Sequence, residues 1–171
     1  MNLEKQSFDH VFVCHFLEHL SHPDNALAIL QDLIKIGWTI TVIEGGPARP
    51  ISILKVMQRK KTIQCQVELQ RRAGGNANIR RELYPLLKAA GFSSPNVSPR
   101  MVYVNSSSPW LVEGFTKNTF IAMIEGVRES SIAAGLIGQT TFDEGIRDLY
   151  RTTKQDGVFY YTFFKAITTK Q

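Results

Sequence analysis

Two short β-rich runs flank one amphipathic segment, and that arrangement constrains the fold more than anything else in the chain. "FDHVFVC", Phe8 to Cys14, is β-branched and aromatic with little polarity, the mark of a strand buried on both faces of a parallel sheet, so it reads as a central strand. Pro23 suits the first turn of a helix, and Ala26, Leu27, Leu30, Leu33 and Ile34 then recur at the three-and-four spacing of an amphipathic helix ending at Gly37. "WTITVIE", Trp38 to Glu44, is the second strand, closed at once by Gly45-Gly46-Pro47. Strand, helix and strand with short joints make a βαβ unit, whose crossover is right-handed.

The rest of the chain continues the alternation. Ile51 to Arg72 reads as helical with an imperfect apolar period, and "AGGNAN" separates it from a clearer helix over Ile79–Ala90, capped by Gly91. "NVSPRMVYV", Asn96 to Val104, is a third strand in which Pro99 points to an edge or a bulge. Ser108-Pro109 starts a helix with an apolar face of Val112, Phe115, Thr119, Met123 and Val127, and a further helix covers Phe142 to Thr153. "GVFYYTFFKAI", Gly157 to Ile167, is the last and most apolar strand. The fold class is α/β, in one domain over residues 1–171, with a helical insertion over 105–156 before the last strand.

Composition narrows the partners. The 171 residues are 43% hydrophobic and carry a net charge of +5. The basic residues fall in short clusters, Arg59-Lys60-Lys61, Arg71-Arg72 and Arg80-Arg81, without interleaved aromatics, which reads as solvated helix faces rather than a nucleic-acid groove. No apolar run approaches the roughly 20 residues of a membrane-spanning helix. Cys14 and Cys65 are far apart, with no C-x-x-C pair and no leader-like start, so the expectation is a cytoplasmic protein with reduced thiols.

The residues His15-Phe16-Leu17-Glu18-His19 match the H-x-x-E-H spacing of one metallopeptidase class, with His22 as a further donor. That chemistry needs two imidazoles one turn apart on a stable helix, and the space between Cys14 and His22-Pro23 holds about a turn and a half. The expectation is no metal, with a zinc hydrolase using His15, Glu18 and His19 kept as an alternative. Position favours another reading. In open α/β sheets ligands bind outside the carboxyl ends of the strands, where His15–His19 follows the first strand and Gly45-Gly46 the second.

With those positions fixed, "FDHVFVCHFLEHLSHPDNALAILQDLIKIGWTITVIEGG" resembles the second half of a class I S-adenosylmethionine-dependent methyltransferase of the small-molecule type. Phe8, Asp9, Val11, Leu17, Glu18, His19 and Leu20 match the family's F-D-x-V strand and L-E-H-L turn. Lys35, Gly37, Thr39 and Ile40 match its K-P-G-G turn and next strand, with Ile36 and Trp38 in place of the usual proline and second glycine. "LLKAAGF" resembles the helix before its sixth strand and "YTFFKAI" its final strand.

The resemblance implies a partial Rossmann-like sheet of strands four to seven, the last antiparallel, with helices on both faces. It implies methyl transfer to a small organic acceptor, S-adenosylmethionine as cofactor, Cys14, His15 and Phe16 against that cofactor, and His15 as the catalytic polar group or base. Gly45, Gly46, Trp110, Phe115, Phe120 and Met123 are the expected acceptor-binding residues. The family's first three strands, with the G-x-G-x-G turn and the acidic ribose ligand, have no counterpart in these residues. A truncation, a split gene or a degenerate copy would each explain that, and S-adenosylmethionine binding by this chain alone is expected to be weak. The remaining alternative is a non-catalytic half sheet or split-enzyme subunit. It would self-associate or accept a complementing fragment through the strand at Phe8 to Cys14, which in the family pairs with the missing first strand.

Overall fold

The computed structural model describes residues 3–46 and 57–171. Strand β1 (Phe8–Cys14) pairs in parallel with β2 (Ile34–Glu44), and helix α1 (Pro23–Leu33) connects them. Val11 lies opposite Ile40 and Val13 opposite Val42, with a register shift between Phe8 and His10. Helix α1 does not reach Gly37. It passes directly into β2 at Ile34, and Gly37 sits inside the strand at φ +83°, its N–H donating to the Lys170 carbonyl at 2.8 Å. Ile36 and Trp38 on either side favour extended backbone, so only glycine's tolerance of positive φ is needed to carry the irregularity.

Helix α2 covers Met57–Arg72, so the start of the segment expected from Ile51 lies outside the described residues. The helix expected over Ile79–Ala90 is broken into a 3-10 turn, Ile79–Arg81, and α3, Leu83–Ala89. Pro85 explains the break. It has no N–H to give the Arg81 carbonyl, so a continuous helix through 81–85 would lose a bond and clash. Gly91, at φ +88°, closes α3 as expected.

Strand β3 is Ser93–Asn105 and β4 is Val158–Thr169. The sheet order is β1-β2-β4-β3, with β4 antiparallel to β2 from Thr39 opposite Thr169 to Glu44 opposite Phe164. This is the mixed sheet with an antiparallel last strand that the resemblance implied, and Pro99 lies in a terminal strand of it. The expectation of a central β1 is corrected. Among the described residues β1 is also terminal, Phe12 is 60% exposed and Val13 alone in the strand is buried. An apolar run shows that both faces can be covered, not that both are.

The chain divides into two compact units. The first comprises Met1–Gly46, Ala73–Arg100 and Thr162–Gln171. Its core is built on Leu17, Leu27, Ile40, Val42, Leu83 and Leu87, all fully buried. The second comprises Pro47–Arg72 and Met101–Tyr161. It contains α4 (Pro109–Leu111), a π-helix (Val112–Ile121), α5 (Ala122–Glu125), α6 (Arg128–Ala133) and α7 (Gln139–Arg151). The π-helix moves the buried stripe. Phe120, Ile121 and Ile124 enter the core, while Thr119 and Met123 of the expected face are exposed, because each wider i→i+5 turn advances the inward position by a residue. No helix among the described residues is long and apolar enough to cross a membrane.

Candidate functional site

The carboxyl ends of β1 and β2 in the first unit carry a cluster of polar side chains, His15, Glu18 and Glu44, and its anchor is Glu44. The last residue of β2, it is fully buried, and its Oε1 accepts the peptide N–H groups of Phe16 at 3.1 Å and Leu17 at 2.8 Å. A strand-end carboxylate thus fixes the turn after the neighbouring strand. Among the described residues its Oε2 has no hydrogen-bond partner. Burial pushes the Glu44 carboxyl up, with Glu18 adding to the rise, while the two N–H groups and His15 oppose it.

His15 leaves β1 at φ +48°, a left-handed conformation that L side chains rarely adopt. Its N–H still extends the ladder to the Ile43 carbonyl at 2.8 Å, so pairing on one side and the Glu44-held turn on the other hold the residue there. The kink turns the imidazole toward Glu18, with Nδ1 3.7 Å from Oε1. Hydrogen bonding to Glu18 raises the His15 pKa above its ordinary value, partial burial opposes, and the charges of Glu18 and Glu44 reinforce the rise. Glu18 also stands 3.7 Å from His19 Nε2, and its carbonyl accepts the Asn76 N–H at 2.8 Å. An imidazole nitrogen of His15 and one carboxylate oxygen each of Glu18 and Glu44 lie within 4.8 Å of one another.

The zinc hydrolase arrangement does not form. Leu17–His19 is a three-residue 3-10 turn, and His15 lies outside it in left-handed backbone, so the two histidines are not successive turns of one helix. Cys14 is exposed; desolvation and the Glu44 charge hold its thiol above the ordinary range, which disfavours a nucleophilic thiolate. Phe16 is about half exposed. Gly45 and Gly46 are buried, and a Cβ on Gly46 would lie 1.0 Å from Nη1 of Arg80, so the absent side chain is what admits that guanidinium over the strand end.

The expected acceptor wall belongs to the second unit. Phe120 and the half-buried Phe115 pack on Phe159, with ring centroids 4.9 and 6.1 Å apart, whereas Trp110 and Met123 are 72% and 45% exposed. Phe115 and Phe120 are therefore brought together, and Trp110 and Met123 stand apart from them on the surface. Sequence reasoning missed Glu44 and Arg80. The local signal for Glu44 was a carboxylate ending a β-rich run, the one charged residue of "WTITVIE".

No family model and no curated protein matches the sequence. Solved structures do. A protein assigned as a methyltransferase of an antibiotic biosynthesis pathway in Anabaena variabilis ATCC 29413 superposes with TM-score 0.53 at 16% identity, over 96% of this chain and 68% of that one. A protein assigned as a methyltransferase from Bacillus halodurans C-125 superposes with TM-score 0.52 at 12% identity, over 99% and 73%. Phosphoethanolamine N-methyltransferase 2 of Haemonchus contortus, solved with S-adenosyl-L-methionine, gives TM-score 0.49 at 17% identity over 99% of this chain, which spans 35% of that protein's length. The β1-β2-β4-β3 order with an antiparallel β4, and the superposition on these bacterial structures, establish that the chain has the methyltransferase fold in the portion of the sheet it contains.

Proposed function

We propose that the chain is part of an S-adenosylmethionine-dependent methyltransferase acting on a small organic acceptor. The observation that carries this reading is the mixed sheet order with its antiparallel last strand, joined to the F-D-x-V residues that begin β1 and the L-E-H-L turn that follows it. In the reaction an acceptor O, N, S or C atom attacks the sulfonium methyl, the carbon–sulfur bond breaks, and its electron pair stays on sulfur as S-adenosylhomocysteine forms. His15 takes the acceptor's proton. Its Glu18 partner makes the imidazole a stronger proton acceptor than a solvated histidine, which supports that role. Cys14 and Phe16 flank the methyl donor, and Gly45 and Gly46 face the acceptor.

Ultraviolet cross-linking of radiolabelled S-adenosylmethionine tests the assignment and detects weak binding. Label should enter the tryptic peptide spanning 6–35, which contains Cys14, His15 and Phe16. Label confined to other peptides, or none at saturating donor, refutes it.

A second reading, a half sheet completed by another strand, is favoured by β1 lying at the end of the sheet with Phe8 and Phe12 exposed. Phe12→Lys is the appropriate variant, since Val13 is in the core. Wild type that scatters light as a dimer or larger species, and a Phe12→Lys variant that does not, are the expected results. A monodisperse wild-type monomer excludes this second reading.

A further inference from the structure

We propose that His15, Glu18 and Glu44 form a binding site for a divalent transition-metal cation, with zinc or cobalt preferred over magnesium. The site shares His15 and Glu18 with the H-x-x-E-H spacing and with the methyl-transfer reading, but its third ligand, Glu44, comes from the adjacent strand in place of His19, and the inference does not depend on methyl transfer.

Three observations converge. The first is proximity: one nitrogen and two carboxylate oxygens lie within 4.8 Å of one another. The His15 Nδ1 to Glu18 Oε1 separation is 3.7 Å, close to the span of about 3.4 Å that two ~2.1 Å bonds make at a tetrahedral angle. Glu18 is half-buried and His15 exposed, so small side-chain rotations close the remainder. The second is an uncompensated group. Glu44 is fully buried and among the described residues its Oε2 has no hydrogen-bond partner, although buried carboxylate oxygens are ordinarily bonded or paired. Two carboxylates and a neutral imidazole supply two negative charges, which a divalent ion balances. The third is support of the ligands. Glu44 Oε1 is pinned by two peptide N–H groups, and the His15 backbone is held on β2 through the Ile43 carbonyl, the kind of outer bonding that orients metal ligands. The imidazole donor makes the set more suitable for zinc or cobalt than for magnesium, which favours oxygen ligands. Coordination displaces any proton on His15, so affinity falls as pH drops through its titration.

The test is titration of untagged, chelator-treated 171-residue protein with zinc, cobalt and magnesium ions separately, by calorimetry and by the visible absorption of cobalt. One zinc or cobalt ion per chain is expected. Glu18→Gln and Glu44→Gln should each bind at least about tenfold more weakly, while His19→Asn and His22→Asn bind as wild type. Circular dichroism confirms that the variants are folded, and Glu18→Gln, away from the core, decides the matter if Glu44→Gln is not. Absence of saturable binding, unchanged affinity in Glu18→Gln, loss on His22→Asn, or magnesium binding as tightly as zinc would each overturn the assignment. A cross-link at 6–35 without metal binding, or the reverse, tells the two readings apart.

Discussion

Replacing Glu44 with alanine separates its structural from its electrostatic role. The substitution removes the acceptor for two peptide N–H groups. The Leu17 N–H is buried and would be orphaned, at a cost of about 1–3 kcal/mol, whereas the partly buried Phe16 N–H can turn to water. Loss of a buried, incompletely bonded carboxyl offsets some of this, and the net expectation is ~2 kcal/mol less stability. In a chain of this length that lowers the melting temperature by about 4–8 °C. Glu44→Gln keeps an oxygen for both N–H groups and should stay within about 1 kcal/mol of wild type. The two variants also differ in pH dependence. The folded Glu44 pKa is raised, so the native state binds the proton more tightly than the unfolded chain. That contribution is fully present below the unfolded value of 4.5 and is lost as pH rises through the folded one. Glu44→Gln should therefore gain on wild type as pH rises through this window, and the difference should vanish in acid. Urea unfolding of chelator-treated protein across pH measures both effects. The reasoning fails if Glu44→Ala is as stable as wild type, or if Glu44→Gln falls as far as Glu44→Ala.

Two further outcomes follow from the structure and sequence. A methyl on Gly145 would lie 1.9 Å from Thr62 Oγ1 and 3.0 Å from the Gln58 carbonyl, so Gly145→Ala should destabilise the protein by about 1–3 kcal/mol in thermal unfolding, and an unchanged melting temperature would contradict the contact between α2 and α7. Calorimetric titration of the 171-residue chain with S-adenosylmethionine should give affinity weaker than low micromolar, the range near −8 kcal/mol, because these residues contain no G-x-G-x-G turn; tighter binding would place a sufficient donor site among β1 to β4.

The βαβ opening was legible because Val11, Val13, Ile40 and Val42 alternate in short runs and Pro23 marks a helix start, both local signals. The sheet order was legible only through resemblance, since nothing in "YTFFKAI" itself says that it runs antiparallel to β2. Three features escaped for distinct physical reasons. Phe12 has the same apolarity whether its face is covered or bare. Thr119 and Met123 fit a 3.6-residue period, and the π-helix broke that period. Glu44 acts on Phe16 and Leu17 across a strand pairing, so its partners are near in space and distant in sequence. His15 was singled out for its place after β1, and its left-handed backbone added a constraint that no spacing pattern carries.

The insertion of β4 between β2 and β3 also imposes an order on biosynthesis. Ribosomes deliver β1, β2 and β3 first, yet β2 cannot acquire its second neighbour until Phe164–Thr169 has been made and has cleared the exit tunnel. Throughout that interval the edge of β2 away from β1 is a bare template awaiting a partner far along the nascent chain, and closing so long a loop is slow. A pause or premature stop after β3 would therefore release a polypeptide with unsatisfied strands, a substrate for chaperones and aggregation rather than a shorter working protein.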